Sequence, residues 1–408
     1  MDMNTETTLA FIRRHRESDI RQIALEGHNN PAVDLPFALV QIQGWQTARG
    51  KLPTWAARDD ILYPPHLNME QCSSEHTALY KRAVVGRLLP ELADTGTLVD
   101  LTGGYGVDFF CLSRGFARAV YVERDPRLCE LARHNMAVLG RPHAEIHCDD
   151  APHFLQTLPA TGPSSRPTVI FLDPARRGSH GEKVFGLSDC EPDVTLLRDD
   201  LLARCDMLLL KLSPMLDWHE ALRRLRASGA GCEVHIVATG NECKELLMVI
   251  TRDESPLRVY CVNDDERFAY TPAAFDPSRL PVTAAPVADA LAGWLHVPNA
   301  AIMKAGCFDE LAAEYSLSAV GPNSHLFVAH EPAERFPGRR FRIAGVCSLN
   351  KRDVRQALSG VTQANIATRN FPLSVPELRK RLKIKDGGNL YIFATTWQEK
   401  HVLILCER

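Results

Sequence analysis

Between about residues 98 and 264 short apolar runs alternate with helical patterns, and this alternation narrows the possible folds more than anything else in the chain. The runs TLVDL (97–101), AVYVE (119–123), AEIHC (144–148), TVIFLD (168–173), MLLLKL (207–212) and EVHIVAT (233–239) have strand length and are rich in β-branched and aliphatic residues. Between them lie the amphipathic stretches DPRLCELARHNMAVLG, APHFLQTL, DVTLLRDDLLAR and HEALRRLRASG. Strands that are apolar throughout are buried on both faces, and a helix between successive strands supplies the crossover that parallel pairing requires. The expected fold class is therefore α/β, a Rossmann-like doubly wound sheet. Pro126 at the start of one helix and Gly140 just past its end agree with that assignment. The run LRVYCVND (257–264) adds another strand, expected to lie antiparallel at the end of the sheet.

The flanks divide the chain further. Residues 1–75 read as a helical N-terminal region, with Ser18 ahead of DIRQIAL, a longer apolar segment DLPFALVQIQGW, and breaks at Pro53 and Pro64–Pro65. Ser73 and Ser74 are expected to cap the helix EHTALYKRAVVGRLL. The α/β domain spans 76–280 and ends in a Pro/Ala-rich connector, followed by a small segment, 281–336. The last domain, 337–408, is expected to be a compact α+β unit, with a Ser374/Glu377 capping box before PELRKRL.

A chain of 408 residues is long for one domain. It has no apolar signal segment near its start and no run of membrane-spanning length, so no membrane association is expected. Its 12 cysteines include no C-x-x-C pair, which fits reduced thiols in a cytoplasmic protein. His143 and His147 share a face if their stretch is a strand, but they read better as polar neighbours of Asp149–Asp150 than as metal ligands, and no metal is expected. The net charge is only −3, yet Gly338–Arg408 holds 14 Lys and Arg against 5 Asp and Glu, a balance of +9 that leaves −12 elsewhere. Such asymmetry suggests one module with an anionic partner, or a solvated basic face.

The chemistry concentrates in VDLTGGYGVD, where a strand passes into a helix. Gly103, Gly104 and Gly106 let the backbone turn tightly and approach a ligand closely, and the next helix presents unpaired N–H groups. The spacing is not the G-x-G-x-x-G of a dinucleotide site, and Asp100 would crowd a pyrophosphate. Asp100 suits a cation instead, and S-adenosylmethionine carries both an ammonium and a sulfonium. Glu123 ends the next strand, where it could accept ribose hydroxyls. Asp150, with Asp149 as alternative, follows the third strand within reach of an adenine amino group. Carboxylates at the ends of successive parallel strands define one crevice.

After the fourth strand comes Asp173-Pro174-Ala175-Arg176-Arg177-Gly178. Asp173 could hold an N–H of a methyl acceptor and orient its lone pair, since methyl transfer depends mainly on in-line positioning. Arg176 and Arg177 suit a phosphate, or pair with surface acids. Lys211 and Ser213, ending the fifth strand, face the same edge, and Lys211 is read either as a structural ion pair or as a substrate contact.

Asp100, Thr102, Gly103, Gly104, Gly106 and Asp108, with Glu123, Asp150 and Asp173–Pro174, resemble motifs I to IV of class I S-adenosylmethionine-dependent methyltransferases, with Thr102 at the first glycine position of D-x-G-x-G-x-G. The DPARRG segment departs from the D-P-P-Y of amino methyltransferases. Over almost its whole length the chain is similar to the bacterial THUMP-like-domain methyltransferases, through LPTWAARDDILYPPHLNMEQCSSEHTALYK, VDLTGGYGVD, DPARR, GNECKELL, PNAAIMKAG, NSHLF and RNFPLSVPELRKRLKIKDGG. The resemblance implies a ferredoxin-like piece at 281–336 and a THUMP-like RNA-binding domain at 337–408. It also implies that QCSSEHTALYK packs over the cofactor pocket.

The expected function is S-adenosylmethionine-dependent methylation of a base nitrogen in structured RNA. Asp100, Thr102, Gly103, Gly104, Gly106, Asp108, Glu123 and Asp150 would bind cofactor. Asp173, Pro174 and Arg176 would serve catalysis, and Arg177, Lys211 and Ser213 the substrate. The alternatives are a non-catalytic RNA-binding or assembly factor on a vestigial methyltransferase fold, and a methyltransferase for a protein or small molecule.

Overall fold

The structure, a computed structural model, describes residues 6–26, 31–90, 95–162, 166–176, 186–272 and 293–408. The chain packs as two compact units, Met1–Cys232 with Leu247–Ser255, and Glu233–Leu246 with Pro256–Arg408.

The first unit opens with helices α1 (Glu6–His15), α2 (Ile20–Glu26), α3 (Leu35–Lys51), α4 (Pro53–Ala56), α5 (His66–Gln71) and α6 (Glu75–Leu88). Asp19, rather than Ser18, accepts the free N–H groups at the start of α2, from Arg21 and Gln22. Ser74 caps α6 through Thr77 N–H, whereas Ser73 does not cap it and bonds Asp108 instead. There follow β1 (Thr97–Asp100), α7 (Val107–Ser113), β2 (Arg118–Glu123), α8 (Pro126–Val138), β3 (Glu145–Cys148), α9 (Ala151–Thr157), β4 (Thr168–Leu172), the short pair β5 (Ala175–Arg176) and β6 (Cys190–Glu191), α10 (Val194–Arg204), β7 (Met207–Leu212) and α11 (Trp218–Leu225). Five strands lie parallel in the order β3-β2-β1-β4-β7. All four residues of β1 are buried, as a central strand covered on both faces must be. The order reverses beside β1, so the carboxyl ends of β1, β2 and β4 flank a topological switch point.

The N-terminal helices share this unit's core: Leu52, Trp55, Tyr63 and Met69 pack in one apolar cluster with Tyr105, Phe110 and Met136. Polar ties fix the same segment. Asn135 on α8 clamps Leu62, accepting its N–H at 3.0 Å and donating to its carbonyl at 2.9 Å, while the Tyr105 hydroxyl donates to that carbonyl at 3.0 Å.

The division between units falls within β8 (Gly231–Thr239) and β9 (Glu242–Thr251). In the second unit β10 (Arg258–Asn263) runs parallel to β8, and β11 (Glu266–Tyr270) is antiparallel to β10. The LRVYCVND strand is thus not the antiparallel terminal strand that periodicity suggested. A hairpin turn at Gly240–Asn241 and the added strand β9 return the chain, so β10 pairs parallel, and β11 takes the edge.

The remainder comprises β12 (Trp294–Pro298), α12 (Ala300–Ala305), α13 (Phe308–Glu314), β13 (Ser318–Ala319), β14 (Phe327–Ala329), β15 (Gly338–Ser348), α14 (Lys351–Ala357), β16 (Asn365–Arg369), α15 (Val375–Leu382), β17 (Leu390–Trp397) and β18 (Lys400–Glu407). Its strands form one seven-stranded sheet in the order β13-β14-β12-β15-β18-β17-β16. β12 hydrogen-bonds antiparallel to β15, so residues on both sides of position 337 belong to one sheet. The Ser374/Glu377 capping box starts α15 as expected. Among the described residues no helix is long and apolar enough to cross a membrane, and no group of three or more His, Cys, Asp or Glu is placed to hold a metal ion.

Candidate functional site

The glycine loop is stapled to the sheet on two sides. Leu101 N–H donates to Phe171 O on β4 at 3.0 Å, and Gly103 N–H to Val122 O on β2 at 2.9 Å. Gly103 lies directly on the Tyr121 ring, so that a Cβ there would overlap it, and the Tyr121 hydroxyl donates to Gly104 O at 2.6 Å. Gly104 and Gly106 adopt φ of +55° and +89°, which side-chain-bearing residues rarely adopt, and Gly106 leads directly into α7.

Asp100 sits beneath this loop, 1% exposed. Its Oδ1 accepts Thr102 N–H at 3.0 Å, while its Oδ2 is buried with no hydrogen-bond partner. Burial holds its pKa well above the usual carboxylate range, the Thr102 N–H pulls the other way, and the nearby Asp108, Asp173 and Glu123 push it further up. Of these neighbours Asp108 and Asp173 already face lysines, Lys81 and Lys211, so the bare Oδ2 of Asp100 is an acceptor that a cation or an N–H donor would satisfy.

Glu123 closes one side of the loop, accepting Gly104 N–H and Asp125 N–H, each at 2.9 Å. Asp149 N–H donates to the Glu123 carbonyl at 3.1 Å, and the Asp149 carboxylate meets His153 Nδ1 at 2.8 Å. Asp150 caps α9 by accepting His153 N–H at 2.8 Å. His147 lies in β3 with its ring against Phe154, centroids 4.8 Å apart, whereas His143 precedes the strand.

Asp173 is held at the end of β4 by two contacts. Its N–H donates to Thr102 Oγ1 at 2.6 Å, and its Oδ2 accepts from Lys211 Nζ at 2.5 Å. The Thr102 hydroxyl, standing where the usual motif has glycine, thus braces the end of β1 against the end of β4. Pro174 is buried next to it. Arg176 contributes backbone to β5, paired with Cys190, and its side chain and the whole of Arg177 lie outside the described residues. Ser213 opens the turn after β7: its hydroxyl accepts Met215 N–H at 3.3 Å.

Asp108 is buried in a network that sequence reasoning did not anticipate. Its carboxylate receives Ser73 Oγ–H at 2.6 Å and lies 3.1 Å from Lys81 Nζ, which is fully buried and also donates to Ser73 Oγ at 3.2 Å. Burial alone would raise the Asp108 pKa, but the Lys81 and Lys211 ammonium groups and the Ser73 hydroxyl outweigh it and leave it lowered. QCSSEHTALYK therefore closes over the start of α7 by way of Ser73 and Lys81. A lysine inside the otherwise apolar face of TALYKRAVV was the available signal.

Two family profiles match the C-terminal part of the chain: one described as a ferredoxin-like domain at residues 294–337, the other as THUMP domain-like at 338–408. An uncharacterised S-adenosylmethionine-dependent methyltransferase of Mycobacterium tuberculosis, present in strains CDC 1551 and H37Rv, is 25% identical over 303 residues, covering 72% of this chain and 76% of that protein. A crystal structure from Porphyromonas gingivalis W83, assigned as a methyltransferase, superimposes with a TM-score of 0.81 at 30% identity and covers 100% of both chains.

Proposed function

Because this chain belongs to the S-adenosylmethionine-dependent methyltransferases that carry ferredoxin-like and THUMP-like C-terminal domains, we propose that it transfers the cofactor's methyl group to a base nitrogen of structured RNA. The observation that carries the reading is Asp173, braced by Thr102 and Lys211 beside the bare Oδ2 of Asp100.

The residues fit the cofactor. Asp100 Oδ2 is a buried acceptor suited to its ammonium-bearing end, and a Cβ at Gly104 would meet nothing closer than 3.8 Å, which leaves room beside that part of the loop. Glu123 would accept the ribose hydroxyls, and Asp150 or Asp149 the adenine amino group. Asp108 acts one layer below, fixing the start of α7 through Lys81 and Ser73. When bound, S-adenosylmethionine supplies a methyl group made electrophilic by its sulfonium. Lys211 occupies Asp173 Oδ2, leaving Oδ1 to accept an N–H of the target base and aim its lone pair at that methyl. Asp173 Oδ1 or water would take the proton that the methylated nitrogen gives up. Positioning of this kind supplies most of such a rate.

RNA as substrate rests on the +9 balance of residues 338–408 and on their THUMP domain-like match. The twelve free cysteines agree with a cytoplasmic setting. Mass spectrometry of RNA nucleosides from cells with and without the gene tests the activity: a methylated nucleoside must vanish with the gene and with Asp173→Ala. If RNA binding persists but no methylated nucleoside depends on the gene, the protein is an RNA-binding factor on a methyltransferase fold.

A further inference from the structure

At the opposite edge of the first unit's sheet, where β2 and β3 begin, the chain builds a second concavity. It has a volume of about 320 Å³ and is lined by Arg58, Arg114, Arg141, Thr54, Phe110 and Gly140, among others. Arg114 caps the end of α7, and Gly140–Arg141 follow α8. Both helices start at the glycine-loop edge and run back across the sheet, so these residues sit a full helix length from Asp100. The N-terminal segment supplies Thr54 and Arg58.

We propose that this cavity binds a phosphate group, held by the guanidinium groups of Arg58, Arg114 and Arg141. Three arginines line one cavity and, among the described residues, none has a carboxylate partner. The Glu75 carboxylate behind Thr54 accepts the Thr54 N–H and hydroxyl and, among the described residues, makes no ion pair with these arginines. Arg114 is steadied over the Phe110 ring, 5.7 Å from its centroid. Gly140 has no atom within 4 Å of where a Cβ would stand, which keeps that wall open. Partial burial together with the positive neighbours Arg114 and Arg82 draws the Arg141 pKa below the ordinary guanidinium value. Like charges gathered with no carboxylate at ion-pair distance repel one another, and a bound anion turns that repulsion into attraction. Guanidinium forks match phosphate oxygens in geometry as well as charge.

The site does not depend on RNA being the methyl acceptor, since a phosphate monoester or a polynucleotide phosphodiester presents the same oxygens. The test is titration calorimetry of the full chain with inorganic phosphate and, separately, with an RNA hairpin. Wild type is set beside Arg58→Gln, Arg114→Gln, Arg141→Gln and the triple variant. Thermal stabilisation by S-adenosylhomocysteine serves as the check on folding. Each single substitution is expected to weaken phosphate binding about tenfold or more, as loss of a charge-assisted hydrogen bond does. If RNA affinity falls in parallel, the occupant is a polynucleotide phosphodiester; if it holds while phosphate binding is lost, the occupant is a free phosphate-bearing ligand. No uptake of phosphate or RNA by wild type, or a triple variant that binds both as wild type does, overturns the proposal. A wild type that binds phosphate but no RNA leaves this site standing and removes the RNA reading instead.

Discussion

The Lys211 ammonium donates to the Asp173 carboxylate at 2.5 Å, joining the carboxyl ends of β7 and β4 at the place where the methyl acceptor is expected. Lys211 is nearly buried, 11% exposed in its side chain, so it holds Asp173 in one orientation rather than sampling solvent. Lys211→Met is therefore expected to lower kcat by about a hundredfold, the scale for losing a group that orients the reacting centre. The KM for cofactor should stay unchanged, and Lys211→Arg should restore part of the rate. Steady-state kinetics of the three proteins checks this, and an undiminished kcat in Lys211→Met would remove the positioning role.

The Lys81–Asp108 pair is structural in a stricter sense, because both charges lie inside the protein. Removing one partner strands the other, which costs about 3–5 kcal/mol. Lys81→Met should thus show a much lower denaturant midpoint, and Lys81→Met with Asp108→Leu should recover much of the loss. The Asp108 pKa is lowered by folding, so its contribution to stability is present above the ordinary carboxylate range and disappears as pH falls through the folded value. Acid denaturation should consequently set in at higher pH for the variant lacking Asp108's partner than the loss of a surface pair would produce.

Asp100 behaves in the opposite sense. Its pKa is raised by burial, so the free protein carries a proton there at pH values where an ordinary carboxylate has none. A cation must meet the ionised form. Affinity for S-adenosylmethionine is therefore expected to rise with pH until the raised value is passed, with a proton released on binding. Calorimetry in buffers of different ionisation enthalpy measures that proton. Asp100→Asn should abolish its release and flatten the profile, and a wild-type affinity independent of pH would contradict the assignment.

The loop glycines separate sterics from conformation. Gly103→Ala drives a methyl group into the Tyr121 ring, and should cost about 3 kcal/mol, the upper end for core overpacking. Gly104→Ala meets no atom closer than 3.8 Å and bears only the left-handed backbone, about 1–2 kcal/mol. Thermal melts should rank them in that order.

The parallel pairing of β1 to β4 and β7 was legible because near-continuous apolar runs alternating with helices have one common use, a parallel sheet covered on both faces; their order in the sheet was not. The acids at their ends were legible for the same reason, since each one closes a strand. The hairpin into β9 had a local signal, the two-residue turn Gly240–Asn241 between apolar runs, with both residues at positive φ, but the charged start ECKE masks the strand that follows it. Ser73 was misplaced by its neighbour: two adjacent serines before a helix look equivalent until Asp108, 35 residues on, claims one of them. Long-range partners of that kind leave no spacing to read. Lys211 stood open between an ion pair and a substrate contact, and only the fold placed it on Asp173.

The shared sheet also decides how RNA binding is best tested. Cutting the chain at residue 338 would strip β12 of β15, to which it is hydrogen-bonded from Trp294 to Pro298, so a deletion would disturb the preceding segment as well as the basic one. Substitutions avoid this. Lys351, Arg352 and Lys380 are exposed on α14 and α15. Replacing all three with alanine should leave the melting temperature within a few degrees of wild type, as exposed helix positions do. RNA affinity should fall, and the slope of log affinity against log salt should shrink by about one for each phosphate that the protein no longer neutralises. Fluorescence anisotropy across a potassium chloride series measures both. An unchanged slope would mean that RNA phosphates do not meet these helices, and would direct attention to the arginine cavity at Arg58, Arg114 and Arg141 instead.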